Sequence, residues 1–133
     1  MNNWFIPIRN DKFNIEDQFN DYSFIEQNQA KNCSFEQGDF AYIYCTEEQE
    51  LKYKCKICLT DIPLNKAFDD EKYVKDKEFF EDKNYKSFMR LCLVSRISID
   101  LKTLQNNGIN QFNIQRKIPD KLMKYLDSKL IYS

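Results

Sequence analysis

Two apolar runs joined by a short acidic link constrain this chain more than any other feature. In "GDFAYIYCT", Gly38 supplies a turn into an aromatic-rich run that reads as a strand. In "LKYKCKICLTDI", residues 51–62, side chains alternate: Tyr53, Cys55, Ile57 and Leu59 share one face, and Lys52, Lys54, Lys56 and Cys58 the other. With "TEEQE" between them, the two runs predict an antiparallel hairpin with a loop of about four or five residues.

The same alternation decides the Cys55-x-x-Cys58 spacing. Thiols on opposite faces of a strand cannot hold one ion or close a disulfide with each other. A zinc knuckle needs a turn between its cysteines and a second ligand pair, yet "KI" is no turn, and Cys33, Cys45 and Cys92 stand singly. A redox dithiol normally opens a helix. The spacing is read as two strand cysteines, with no metal site and no cofactor.

Around the hairpin, "WFIPI" (4–8) reads as a strand that Pro7 places at an edge or bend. Asn14 with Asp17 caps a brief helix to about residue 20, carrying Ile15 and Phe19 on one side. "SFIEQ" is extended, and "NQAKNCSFEQGD" is a polar loop. A charged and aromatic connection, residues 63–86, holds a short helix or an irregular strand. "SFMRLCLVSRISID" is a strand buried on both faces or bulged, because Phe88, Leu91 and Leu93 do not alternate simply. Asp100 caps the next helix and Gly108 stops it. Pro119 stands in the first turn of a last helix with a Leu122, Leu126, Leu130 stripe. The expectation is one α+β domain, residues 1–133, in which a small curved antiparallel β-barrel is flanked by helices.

The chain contains no histidine, which removes Ser-His-Asp and Cys-His catalysis, HNH-type nuclease chemistry and imidazole zinc sites. It is therefore read as a non-enzyme, with no catalytic residue assigned. Five cysteines at irregular spacing fit reduced thiols, and no apolar run suits a membrane span or signal peptide. The expectation is a soluble, cytoplasmic protein with no membrane partner. Residues 10–50 hold ten acidic and two basic side chains, a net of −8, whereas residues 85–118 hold six basic and one acidic, a net of +5. Either the blocks interleave in space and average out, or the surface is bipolar with one face suited to phosphates.

The segments "NNWFIPIRNDKFNIEDQF", "GDFAYIYCTE", "LKYKCKICLTDI", "FMRLCLV" and "LQNNGINQFNIQRKIPDKLMKYL" together resemble, in order and over nearly the whole chain, EVE-like domains of the PUA superfamily. Such domains often form the N-terminal module of modification-dependent HNH restriction endonucleases. The resemblance implies a PUA-like barrel that holds an extruded, often methylated, base in an aromatic pocket. An unstacked base regains stacking on aromatic rings while polar groups read its edge. The base-pocket residues it implies are Trp4, Asn10, Gln27, Asp39, Tyr42 and Tyr44, set against simpler readings: a lone tryptophan is by default core, and Asp39 equally caps a turn. Where the family often shows Trp-Arg-Gln, this chain has Ile25-Glu26-Gln27, which removes one cage aromatic and one cation. Lys52, Lys54, Lys56, Arg90, Arg96, Arg116 and Lys117 are the phosphate-binding candidates, although a lysine row is most often a solvated face. The leading expectation is a reader of modified DNA serving an anti-phage restriction system, partnered by a nuclease domain or subunit. The alternatives are RNA binding and a protein-interaction or regulatory domain that keeps the fold without the pocket.

Overall fold

The computed structural model describes residues 1–11, 13–63 and 87–130. The connection read as a helix or irregular strand lies outside them, as does the side chain of Leu130. The order is β1 (Asn3–Ile8), α1 (Ile15–Tyr22), β2 (Phe24–Asn28), β3 (Phe40–Cys45), β4 (Glu50–Pro63), β5 (Ser87–Asp100), α2 (Leu101–Asn106), β6 (Arg116–Lys117) and α3 (Asp120–Leu130). The strands form one six-stranded sheet in the order β2-β5-β4-β3-β1-β6. The α+β class with helices against a small curved sheet is the one expected, but two features differ. The β1–β3 pair is parallel rather than antiparallel, because α1 and β2 lie between them in the chain. The sheet is also open, for β2 and β6 stand at opposite edges and do not pair.

Local signals place the helices. The Asp17 N–H donates to Asn14 Oδ1 at 3.4 Å, and the helix continues two residues beyond the expected end, to Ser23 in the left-handed region. The Thr103 N–H donates to Asp100 Oδ1 at 2.9 Å, and Gly108, at φ +100°, lets the chain turn away after α2. Pro119 precedes α3, its carbonyl accepting the Met123 N–H at 3.0 Å.

The sheet buries both faces. On the α1 side lie Trp4, Ile6, Ile8, Ile15, Phe19, Ile25, Ala41, Ile43, Tyr53, Cys55, Ile57, Met89 and Leu91. On the other side α2 and α3 cover Phe5, Tyr42, Tyr44, Leu51 and Ile99 with Leu104, Leu122 and Leu126. Bulges let the two long strands serve both cores. Between the Ile43–Tyr53 and Tyr44–Leu51 pairs β4 holds one extra residue, Lys52, so Leu51 and Tyr53 face opposite cores despite their spacing. Strand β5 switches likewise, from Met89 and Leu91 on the α1 side to Ile99 on the other. Past a further shift between Ile57 and Leu59 the alternation fails again, and Leu59 is exposed rather than buried.

A side chain joins the open edges where strands do not. Gln115, one residue before β6, donates from Nε2 to the Asn28 carbonyl and accepts the Ala30 N–H at Oε1, both at 2.8 Å. The Cys33 thiol adds a contact to the Gln115 carbonyl oxygen at 3.4 Å.

Candidate nucleic-acid interface

Among the described residues strand β6 pairs only with Trp4 and Phe5, leaving the end of β1 without a strand partner on that side. Pro7, which has no N–H for a further strand, stands on that uncovered stretch. Between it and the chain leaving β2 lies a cleft of about 610 Å³. Its lining combines Pro7, Ile8, Ala30 and Ile114 with Gln27, Asn28, Asn32, Asn113, Gln115 and Thr46, and with Arg9. Among the described residues no carboxylate lines it, and Arg9 is its one charged side chain. The Thr46 N–H donates to the Ile8 carbonyl at 3.1 Å, which fixes one wall; the Gln115 bonds fix the other. Gln27 Nε2 donates to Asn28 Oδ1 at 2.9 Å, so the two amides hold each other in register along one side.

The expected base-pocket residues do not converge on this cleft or on one common site. Of the six, only Gln27 lines it. Trp4 is core: it packs on Phe35 at 4.6 Å, and its Nε1–H donates to Asp39 Oδ2 at 2.9 Å. Asp39 is buried and also accepts the Asn2 and Glu36 N–H groups. Burial works to raise its pKa, but these three bonds together hold the carboxyl below its ordinary 3.8. Tyr42 and Tyr44 share a face as expected, but it is the face beneath α3, where burial pushes the Tyr42 phenol up to about 12. Asn10 bridges turns instead, accepting the Glu47 N–H at 3.1 Å and donating to Glu48 at 2.7 Å.

The cation candidates divide in the same way. Arg90 lies over the Phe24 ring at 4.3 Å and pairs at 2.9 Å with Glu26, whose side chain is 2% exposed. Arg96 pairs with Glu16 at 2.9 Å, and Lys52 with Glu48 at 2.6 Å. The bulge turns Lys52 out of the expected lysine row, toward a smaller cavity of about 170 Å³ beside Tyr53 and Glu16. Lys54 lies 4.6 Å from the Phe40 ring centroid and 5.9 Å from that of Tyr42, and Lys56 is exposed on the same strand. Arg116 and Lys117 form β6, next along the chain from the cleft residue Gln115.

Cys55 is fully buried and its thiol pKa is raised by burial, whereas Cys58 lies half-exposed beyond it. Among the described residues no group of three or more cysteine or carboxylate side chains could hold a metal ion, and no helix is long and apolar enough to cross a membrane. The cleft lining that sequence reasoning missed (Arg9, Asn28, Asn32, Thr46, Asn113, Gln115) comes from four separate segments. Its signal was compositional: the polar loops after β2 and before β6 are unusually rich in Asn and Gln.

No protein-family model matches the chain, and no curated protein matches it in sequence. Solved structures do match. The ASCH protein of Zymomonas mobilis superposes with a TM-score of 0.65 at 10% identity over 96% of this chain and 94% of that one. A point variant of it gives 0.67 at 12% identity over 96% of both chains. Protein Atu2648 from Agrobacterium tumefaciens gives 0.64 at 14% identity, over 98% of this chain and 92% of that one. The fold is PUA-like. At such identities the likeness bears on architecture alone.

Proposed function

We propose that this chain is a nucleic-acid-binding module that seats one unstacked base in the amide-lined cleft. The carrying observation is the lining: among the described residues, five Asn and Gln side chains, one threonine, one arginine and no carboxylate, beside apolar Pro7, Ile8, Ala30 and Ile114. Asn and Gln present a donor and an acceptor side by side, the arrangement that pairs with a base edge. The volume falls within the roughly 300–1,000 Å³ of small-ligand pockets. The PUA-like fold supports the same reading.

The finer version is reading of a modified base in DNA for a restriction system with a nuclease partner, as in the EVE-like domains that the sequence resembles. In this chain such reading would rest on amides, since Trp4, Tyr42 and Tyr44 are engaged in the two cores. Fluorescence anisotropy against RNA, single-stranded DNA, and unmodified, 5-methylcytosine and 5-hydroxymethylcytosine duplexes tests both levels. Gln27→Ala and Asn113→Ala should each weaken binding about tenfold, as loss of one to two hydrogen bonds does, with an unchanged unfolding midpoint. Equal binding to modified and unmodified duplexes would remove the modification-reading version. Absence of all nucleic-acid binding would remove the proposal and favour a protein-interaction domain.

A further inference from the structure

Resting on that reading, we infer that the occupant of the cleft is a short single-stranded segment whose phosphates are held on three sides by Arg9, Lys31 and Lys117. Arg9 stands at the end of β1, in the cleft wall. Lys31 is exposed between Ala30 and Asn32, which both line the opposite wall. Lys117 continues from Gln115 along β6, where the register sets it opposite Trp4. From Trp4 to Arg9 is five residues of extended chain, a span of roughly 17 Å at about 3.3 Å per residue. A stacked strand advances about 3.4 Å per nucleotide, so this span matches about five nucleotides, and fewer where the backbone is stretched.

Among the described residues, the placement of the cations favours a strand over a duplex. Proteins that hold duplexes tightly commonly neutralise about 6–10 phosphates. Here Arg90, Arg96 and Lys52 are tied to Glu26, Glu16 and Glu48, Arg116 donates to the Lys117 carbonyl and to Asn110, and Lys54 and Lys56 stand on β4, none of whose described residues lines the cleft. Around the cleft, Lys31 and Lys117 have no carboxylate within ion-pair distance among the described residues, and Lys117 Nζ lies 5.8 Å from the Trp4 ring centroid at an exposed position. Arg9 pairs with Asp11 at 3.1 Å, but both are solvent-accessible, and a phosphate displaces so weak a pair readily. About three cations disposed around a cleft suit a strand that passes over it with one base turned in.

The test is a length and salt series on the intact chain, with a mononucleotide, oligonucleotides of two, four, six and eight residues, and a matched duplex. Affinity should rise with length and level off at about four to six nucleotides. The single-strand salt slope should be near −2, from about −0.7 per phosphate for three phosphates. Lys31→Ala and Lys117→Ala should each flatten that slope by about 0.7, whereas Lys54→Ala should leave both slope and affinity unchanged. A mononucleotide that binds as tightly as the octamer, a duplex that outcompetes it, or a slope untouched in both variants would overturn the inference while leaving base binding in the cleft intact. Failure of every nucleic acid to bind would overturn both.

Discussion

Removing the Gln115 side chain tests how the two open edges of the sheet are held together. Its amide supplies two 2.8 Å hydrogen bonds to main-chain groups 85 and 87 residues away, the Ala30 N–H and the Asn28 carbonyl. In Gln115→Ala both groups lose their partner. A net hydrogen bond is worth about 1 kcal/mol, and a stranded buried group costs about 1–3 kcal/mol. These sites are part-buried and water can reach them after the truncation, so about 2 kcal/mol is expected, close to a thirtyfold change in the folding equilibrium. With a urea dependence of about 1–3 kcal/mol per molar, the midpoint should fall by about 1 M, followed through the fluorescence of the single tryptophan, Trp4. Hydrogen exchange localises the effect. The Ala30 amide should lose protection, while the Gln29 amide, bonded to the Ser87 carbonyl at 3.1 Å, keeps it. Gln115→Glu keeps the acceptor for Ala30 but sets a carboxylate oxygen against the Asn28 carbonyl, so it should be no better at neutral pH and should recover on acidification. An unchanged midpoint together with full Ala30 protection in Gln115→Ala would refute closure by this side chain.

Other substitutions probe the rest of the frame. Arg90→Ala should cost about 2 kcal/mol, because it removes a charge-assisted pair from the buried Glu26 carboxylate; urea melts of this variant and of Glu26→Gln/Arg90→Ala should show the second partly restored, and equal midpoints would count against the pair. The Gln18 side-chain amide is buried with no hydrogen-bond partner among the described residues. Gln18→Met should therefore raise stability by about 1 kcal/mol, and a lowered thermal midpoint would show that the amide is needed. The Glu16 carboxyl is held below its ordinary 4.5 chiefly by the Tyr53 hydroxyl donating to it at 2.5 Å, opposed by burial and aided by Arg96. A depressed folded-state pKa means that this contribution is complete above pH 4.5 and is lost as pH falls through the folded value. Tyr53→Phe should lower neutral stability by less than about 1 kcal/mol, since Glu16 is half-exposed, and should flatten the acid limb; an unaltered acid limb in pH-dependent melts would show that Glu16 is perturbed by other groups.

The elements were legible because each carries its own local signal: Asn14 and Asp100 as caps, Gly108 as a stop, alternation through Tyr53, Cys55 and Ile57. Such signals end at the first inserted residue. Lys52 is spaced like Lys54 and Lys56 along the chain, and nothing in "ELKYK" marks it as the residue that the ladder with β3 skips. The aromatic cage expected from the resemblance failed for a related reason. Strand β3 lies between β4 and β1 with helices on its outer side, so Tyr42 and Tyr44 had a core to fill before they could serve a ligand. The cleft was least legible, because its lining converges only after the sheet has curled and Gln115 has joined residues far apart in sequence.

Charge shows most plainly what sequence position leaves undecided. The acidic block before residue 50 and the basic block after residue 85 do meet, through Glu16 with Arg96 and Glu26 with Arg90, because α1 and β2 pack beside β5. Interleaving therefore neutralises two of the cations that a tally would assign to nucleic acid. What it spares follows from the open sheet. The chain leaving β2 and the chain entering β6 are not paired to each other as strands, so their lysines, Lys31 and Lys117, remain at the surface on either side of the gap. A closed barrel would have covered that stretch of β1 and left no cleft. Closure by one glutamine side chain keeps the edges together and leaves amides, an arginine and flanking lysines facing the same opening. Stability and binding thus depend on the same junction, and Gln115 is the residue through which a change in one should reach the other.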